Sequence, residues 1–209
     1  MDHRRLGADA WRWCAPAGCA MLSPAVRRFR NWSRKYASSP TRWEAPASEA
    51  EVAAILARAT AERTKVRPVG SGHSWSDVAL PAGAALDLSR MQRVLAIDAS
   101  ARTVRVEAGI QLETLTAALD EVGMAMPILG SISEQTIAGA ISTGTHGSSL
   151  EHGNLAALVR SIRLVTGTGE VLALGPGDER LDAARISLDS LGVITEVELD
   201  VVPAFRLVE

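Results

Sequence analysis

The stretch VGSGHSWSD, residues 69–77, sets one of the chain's four histidines between a Gly-Ser-Gly run and a Ser-Trp pair. It continues VRPV, a short β-branched run at residues 66–69 that reads as a strand. A histidine in such a loop is badly placed for a core and well placed for a ligand. Gly70 and Gly72 let backbone amides approach a partner closely, and Ser71 and Ser74 add hydroxyl donors. A second stretch of the same make-up, TGTHGS, occupies residues 143–148. Neither is a G-x-G-x-x-G turn after a strand, and no lysine follows as a phosphate-binding P-loop requires. Either loop alone is compatible with an ordinary turn. Together they favour a cradle that binds a nucleotide diphosphate through amides rather than charge.

The rest of the composition narrows the class. The chain has 209 residues, 47% hydrophobic and 22% charged, with a net charge of −2. That suits one domain or two small lobes around a real core. The near-neutral balance argues against broad nucleic-acid or membrane-surface binding, and no run approaches the ~20 apolar residues of a membrane span. Cys14 and Cys19 are the only cysteines, so the body has no disulfide framework and no cysteine metal site. Two free thiols in a reducing cytosol, and hence a cytoplasmic protein, are expected. Arg12 and Pro16 interrupt any secretory signal in the first twenty residues. Residues 1–40 are therefore expected to be an N-terminal extension, partly disordered, and residues 41–207 one domain.

Within that domain, Ser48 and Glu51 form a capping box ahead of a helical face of Val52, Ile55, Leu56 and Ala59. AALDL, RVLAID and RTVRVEAG read as strands, the last alternating at Val104, Val106 and Ala108. Residues 111–122 read as a helix with Leu112, Leu115, Leu119 and Val122 on one face and Gly123 as its stop. Residues 127–149 are expected to be mostly loop around a short helical turn. Val159 to Thr166 and Val171 to Leu174 can pair as a hairpin across TGTG. GPGDERLDAARISLDSLG reads as a helix closed by Gly192, and VITEVELDVV as a strand ended by Pro203. Helices are interspersed among short strands without a regular βαβ rhythm, which predicts an α+β fold.

Four segments, RPVGSGHSWSD, RTVRVEAGIQLETL, GSISEQTIAGAISTGTHGSS and LGVITEVELDVVPAF, occur in this order. Together they resemble the FAD-binding, PCMH-type domain of the vanillyl-alcohol oxidase superfamily. The similarity is greatest to the branch of sugar-1,4-lactone oxidases and alditol oxidases, and the lead-in NWS at residues 31–33 suits it. The resemblance spans about residues 30 to 207. It implies a two-lobed domain of mixed and antiparallel sheets with flanking helices. The substrate-capping domain found in full-length relatives looks absent from this sequence.

The resemblance also implies roles. His73 falls where members of the branch tether the flavin 8α-methyl carbon, a bond a neutral imidazole nitrogen can form. A second tether, through cysteine, has no candidate after Cys19. Pro68, Val69, Gly70, Ser71, Gly72, His73 and Ser74 would wrap the diphosphate. Ser131, Thr136, Gly139, Thr143, Gly144, Thr145 and His146 would line FAD, with His146 acting through its backbone. Val193 and Ile194 would lie near the adenine. Gly130 would leave room for dioxygen at the reactive edge, although glycine is also a common turn residue. No metal is expected, His152 being weak support for one. No candidate base emerges, and Glu134 reads as an exposed loop residue.

Two functions are implied. One is an FAD-dependent oxidoreductase acting on a CH–OH group of a sugar lactone or polyol, giving hydrogen peroxide from dioxygen. Under it, this chain is a truncated form or pairs with a separately encoded cap. The other is a flavin-binding fragment or assembly subunit without turnover of its own. The flavin reductase that makes UDP-N-acetylmuramate shares the domain type, but the HSW and THG stretches favour the sugar-oxidase branch.

Overall fold

A computed structural model describes residues 27–206. The thiols of Cys14 and Cys19, and residues 1–26 of the expected extension, lie outside the described residues. The described chain opens with a two-stranded hairpin, β1 (Phe29–Arg30) and β2 (Ala37–Ser38). β3 (Arg42–Glu44) leads to α1 (Glu49–Ala61), then β4 (Val66–Val69) and β5 (Ala84–Asp87). β3, β5 and β4, in that spatial order, form a three-stranded parallel sheet.

α1 starts as the sequence predicts. Ser48 Oγ accepts the Glu51 amide at 3.2 Å. Glu51 Oε2 reaches back to the Ala47 amide at 2.9 Å, one residue earlier than the usual reciprocal bond. The predicted apolar face, Val52, Ile55, Leu56 and Ala59, is buried.

The second lobe begins with β6 (Val94–Asp98) and β7 (Thr103–Glu107), followed by α2 (Leu112–Asp120), β8 (Met124–Ala125) and α3 (Ile137–Ser142). A 3-10 turn at Leu155–Leu158 precedes the hairpin of β9 (Val159–Val165) and β10 (Val171–Leu174). α4 (Arg180–Arg185), β11 (Val193–Asp200) and β12 (Val202–Pro203) complete it. β10-β9-β11-β7-β6 form one five-stranded antiparallel sheet. Alternation explains it, since Val104 and Val106 are fully buried while Arg105 between them is exposed. On the Arg105 face, Thr103 and Glu107 are buried all the same. Burial pushes the Glu107 carboxyl up, but the side chain and amide of Arg93 outweigh that and hold it below the ordinary value. The fold is α+β and two-lobed, as the resemblance implies.

Two expectations change. Val122 is half exposed and lies beyond the end of α2, where Gly123 takes φ +69°. The helix expected from residue 175 to Gly192 is only the six residues of α4. Leu188 and Asp189 adopt left-handed φ of 49° and 61°, which a helix cannot include. Ser190 donates both its amide and its hydroxyl to the Ser187 carbonyl, a local turn that competes with helix. Gly192 then passes so close to β9 that a Cβ would sit 2.4 Å from the Val165 carbonyl oxygen.

α1 ties the lobes together. Its apolar face belongs to the larger core. Glu49 in its first turn accepts Arg163 at 2.6 Å and the Thr195 hydroxyl at 2.7 Å. No helix among the described residues is long and apolar enough to cross a membrane.

Candidate functional site

The first glycine loop leaves the carboxyl end of β4, the usual ligand-facing end of a parallel sheet. It meets the start of α3 from the other lobe. Thr136 caps α3, its Oγ1 accepting the Gly139 amide at 3.3 Å. A Cβ at residue 70 would lie 2.6 Å from that same oxygen, so any side chain there would push Thr136 off its cap. Ser71 Oγ donates to the Glu134 carbonyl, closing the seam between the loops. Thr136 also bridges to Gln111 beyond β7.

One crevice runs along this seam, lined by Pro68, Gly70, Ser71, Gly72, His73 and Ser74 on one side and Thr136, Gly139 and Thr143 on the other. Ser142 lines it too, and its buried hydroxyl has no hydrogen-bond partner. A buried hydroxyl left unpaired is costly, so a ligand oxygen or amine in this crevice would satisfy it. Past Gly70 and Ser71 the crevice continues beside Val69, Ser89, Gly109 and Gln111.

At its other end it opens into a bay of about 730 Å³ bounded by Trp32, His73, Trp75, Gly130, Ser131, Thr145 and His146. His146 Nδ1 lies 2.9 Å from the Gly147 carbonyl, which can only accept, so Nδ1 carries the proton. Gly130 faces the bay. A Cβ there would meet Thr145 Cγ2 at 3.0 Å, so packing also accounts for the glycine.

Val193 reaches the far end of the seam near Pro68 and Asp189. Gly144 (φ +66°) turns the chain behind the bay against Ile186 and Asn154, and Ile194 is buried in the larger core. These two are near the crevice without lining it. Glu134 is exposed and contributes its backbone carbonyl. Among the described residues, no group of three His, Cys, Asp or Glu side chains comes together.

Sequence reading missed Trp32, Ser142 and Asp189. Asp189 lines the crevice from the left-handed turn after α4. Burial pushes its carboxyl up to about 6, against the pull of Arg67 3.9 Å away. Nothing local in ISLDSLG marks that position. NWS reads only as a lead-in that suits the family, and nothing in it marks Trp32 for a role. A separate concavity on the outer face of the five-stranded sheet is lined by Arg105, Arg163, Glu196 and Glu198. Its charges are of both signs and neither glycine loop reaches it, so it is not the candidate site.

A two-lobed α+β domain with two amide-rich loops facing one crevice defines a class that holds an extended, phosphate-bearing cofactor. The chain belongs to the FAD binding domain family, whose model matches residues 40–175. It is similar to an L-gulono-1,4-lactone dehydrogenase of Mycobacterium tuberculosis, 42% identical over 179 residues, covering 86% of this chain and 42% of that protein. It is 40% identical over 184 residues to the L-gulonolactone oxidase of Mus musculus, covering 87% and 42%. A solved cholesterol oxidase from Brevibacterium sterolicum superposes with a TM-score of 0.77 at 20% identity, covering 91% of this chain and 40% of that one, a likeness of fold. The chain thus spans about two fifths of the length of the curated relatives it matches.

Proposed function

We propose that this chain is the flavin domain of an oxidoreductase that oxidises a CH–OH group of a sugar lactone or polyol, with dioxygen as acceptor. The observation that carries it is the seam itself: two glycine loops from different lobes, closed by Thr136, with the unpaired Ser142 hydroxyl facing in. That lining fits FAD. Pro68 to Ser74 would hold the diphosphate through amides, with Thr136, Gly139 and Thr143 opposite. Val193 and Ile194 would lie towards the adenine. Ser131, Thr145 and His146 would border the flavin, and Gly130 would leave a path for oxygen. The lactone substrate class is supported by the names of the relatives.

Bound FAD supplies a two-electron acceptor. The protein's own part is to orient it, shield it and, through His73, to hold it by a covalent bond to the 8α carbon. Among the described residues, His73 and His146 are the only titratable side chains lining the bay. Removal of the substrate's hydroxyl proton and capping of the bay therefore fall, in this reading, to protein beyond the segment shared with the relatives. A separately encoded cap is one way to provide it.

The test is an absorption spectrum of the purified chain, then acid precipitation, with His73→Ala alongside. Yellow colour in the wild-type pellet and in the mutant supernatant is the expected result. Colour released by the wild type would remove the tether and keep FAD. A protein that neither carries nor takes up FAD, and whose melting temperature ignores it, would overturn the reading. A second reading, a flavin-binding fragment or assembly subunit without turnover of its own, is favoured by the lining of the bay, which among the described residues holds no carboxylate. Bleaching of the flavin by a sugar lactone without oxygen would exclude it.

A further inference from the structure

His73 is held by its neighbours and not by its ring. The carbonyl of Gly72 accepts the Trp32 amide at 2.8 Å, and the carbonyl of Ser74 accepts Asn31 Nδ2 at 3.0 Å. Both donors sit in the turn between β1 and β2. Asn31 is 4% exposed and also receives the Tyr36 amide at 3.0 Å, so the turn is fixed before it grips the loop. Gly72, at φ +73°, lies against this turn. The backbone on both sides of His73 is therefore pinned, on the Ser74 side by an asparagine 43 residues away in sequence.

The imidazole itself makes no hydrogen bond among the described residues. In most working histidines a bond to one ring nitrogen fixes the orientation of the other. Here the contact on the ring is Trp32, whose indole stacks on it with centroids 6.1 Å apart and planes 26° from parallel. Trp75 meets Trp32 edge-on at 5.5 Å and 65°, bracing the indole from the side. Trp32 is 58% exposed, which is unusual for an indole whose only task is packing.

We propose that Trp32 is a positioning residue for His73. It holds the imidazole in the one orientation from which a ring nitrogen bonds the flavin. This rests on the covalent tether proposed above. In that step the imidazole N–H and one C–H of the 8α-methyl group break and the N–C bond forms. The two electrons pass into the flavin and are taken, with both protons, by dioxygen as hydrogen peroxide. Trp32 takes no part in the bond changes; it reduces the ring orientations that must be searched first.

The experiment follows covalent incorporation over time when the full chain, produced flavin-free in riboflavin-starved cells, is mixed with FAD in air. Fluorescence in denaturing gels reads the tethered fraction, and titration reads FAD affinity separately. Trp32→Ala is expected to slow tethering by about three- to tenfold, the range of an aromatic contact, a larger factor than the loss of FAD affinity from opening the wall of the bay. Trp32→Phe should restore most of the rate, and Trp75→Ala should lie between. The exposure of Trp32 and the persistence of its backbone bond to Gly72 make the alanine variant a mild one for folding. Tethering in Trp32→Ala at the wild-type rate would overturn the role of Trp32 alone. So would equal losses of tethering and affinity, which mean a collapsed loop, with no rescue by Trp32→Phe. A wild-type protein that binds FAD but never tethers it would remove the tether, and this role with it.

Discussion

The two sheets of this domain fill their interiors in different ways. In the five-stranded antiparallel sheet Val104, Val106, Ile162, Leu164, Val197 and Leu199 all point into one core and are 2% exposed or less. In the three-stranded parallel sheet the central strand is Ala84-Ala85-Leu86-Asp87, and the separate apolar cluster on its side buries Phe29, Val69 and Ala85, with Trp43, Ala79 and Leu80 partly buried against them. The first lobe therefore holds its shape largely by hydrogen bonds and by borrowing the larger core through α1 and Leu86. That lobe carries the His73 loop. The contrast teaches where opening is easiest: elements with few buried apolar contacts unfold locally at lower free energy, so the His73 loop is on the softer side.

Core truncation gives the largest effect and the most direct way to break this comparison. Leu115 in α2 is fully buried in the larger core, and Leu115→Ala should lower stability by about 2–5 kcal/mol in denaturant unfolding. Val69→Ala removes two methyl groups from the smaller cluster and should cost about 1–2 kcal/mol. Equal losses would show that the lobes share one core in energetic terms.

The seam between the lobes sharpens it further. Gly70→Ala drives a methyl to within 2.6 Å of Thr136 Oγ1. Thr136 cannot turn away without giving up the cap on α3, worth about 1 kcal/mol. A tenfold or greater loss of FAD affinity is expected with a stability loss of about that size. Adding Thr136→Ala to Gly70→Ala should recover part of the affinity, because the clash and not the amide geometry is then removed. Strict additivity of the two changes in a double-mutant cycle would show that the two residues do not meet.

How much of this was legible follows from range. The strands Thr103–Glu107 and Val193–Asp200 are visible because alternation is local and one face is buried. α1 is visible because Ser48 and Glu51 announce its start. The glycine loops are visible because few residue types can present bare amides. The turn at residues 186–192 was not, since a run rich in Leu, Ala and Asp suits a helix until the Ser187–Ser190 bonds and the close pass of Gly192 against β9 compete with it. The clamp of Asn31 and Trp32 on residues 72–74 was not visible either. It depends on a pairing between a hairpin and a distant loop that no local pattern encodes.

Asp189 offers an effect confined to a narrow pH window, and one that reads the seam directly. Its carboxyl lies where both lobes meet, near Pro68, Gly70 and Ser71, whose amides are proposed to hold the diphosphate, with Arg67 as its partner. Its folded value of about 6 stands above the ordinary ~3.9 of an unfolded aspartate. The native state thus keeps a proton there that the unfolded chain has lost. This contribution is fully present below about pH 4, is lost as pH rises to about 6, and is level above that. Asp189→Asn should flatten that part of the stability curve, a change of about 2–4 °C in melting temperature per kcal/mol for a chain of this size. A negative carboxylate facing an anionic diphosphate also predicts weaker FAD binding at pH 8 than at pH 5. Titrating FAD into wild type and Asp189→Asn at both values checks this, and only the wild type should show the difference. If both proteins bind identically at each pH, the carboxylate does not face the diphosphate, and Asp189 belongs to the Arg67 contact between the lobes.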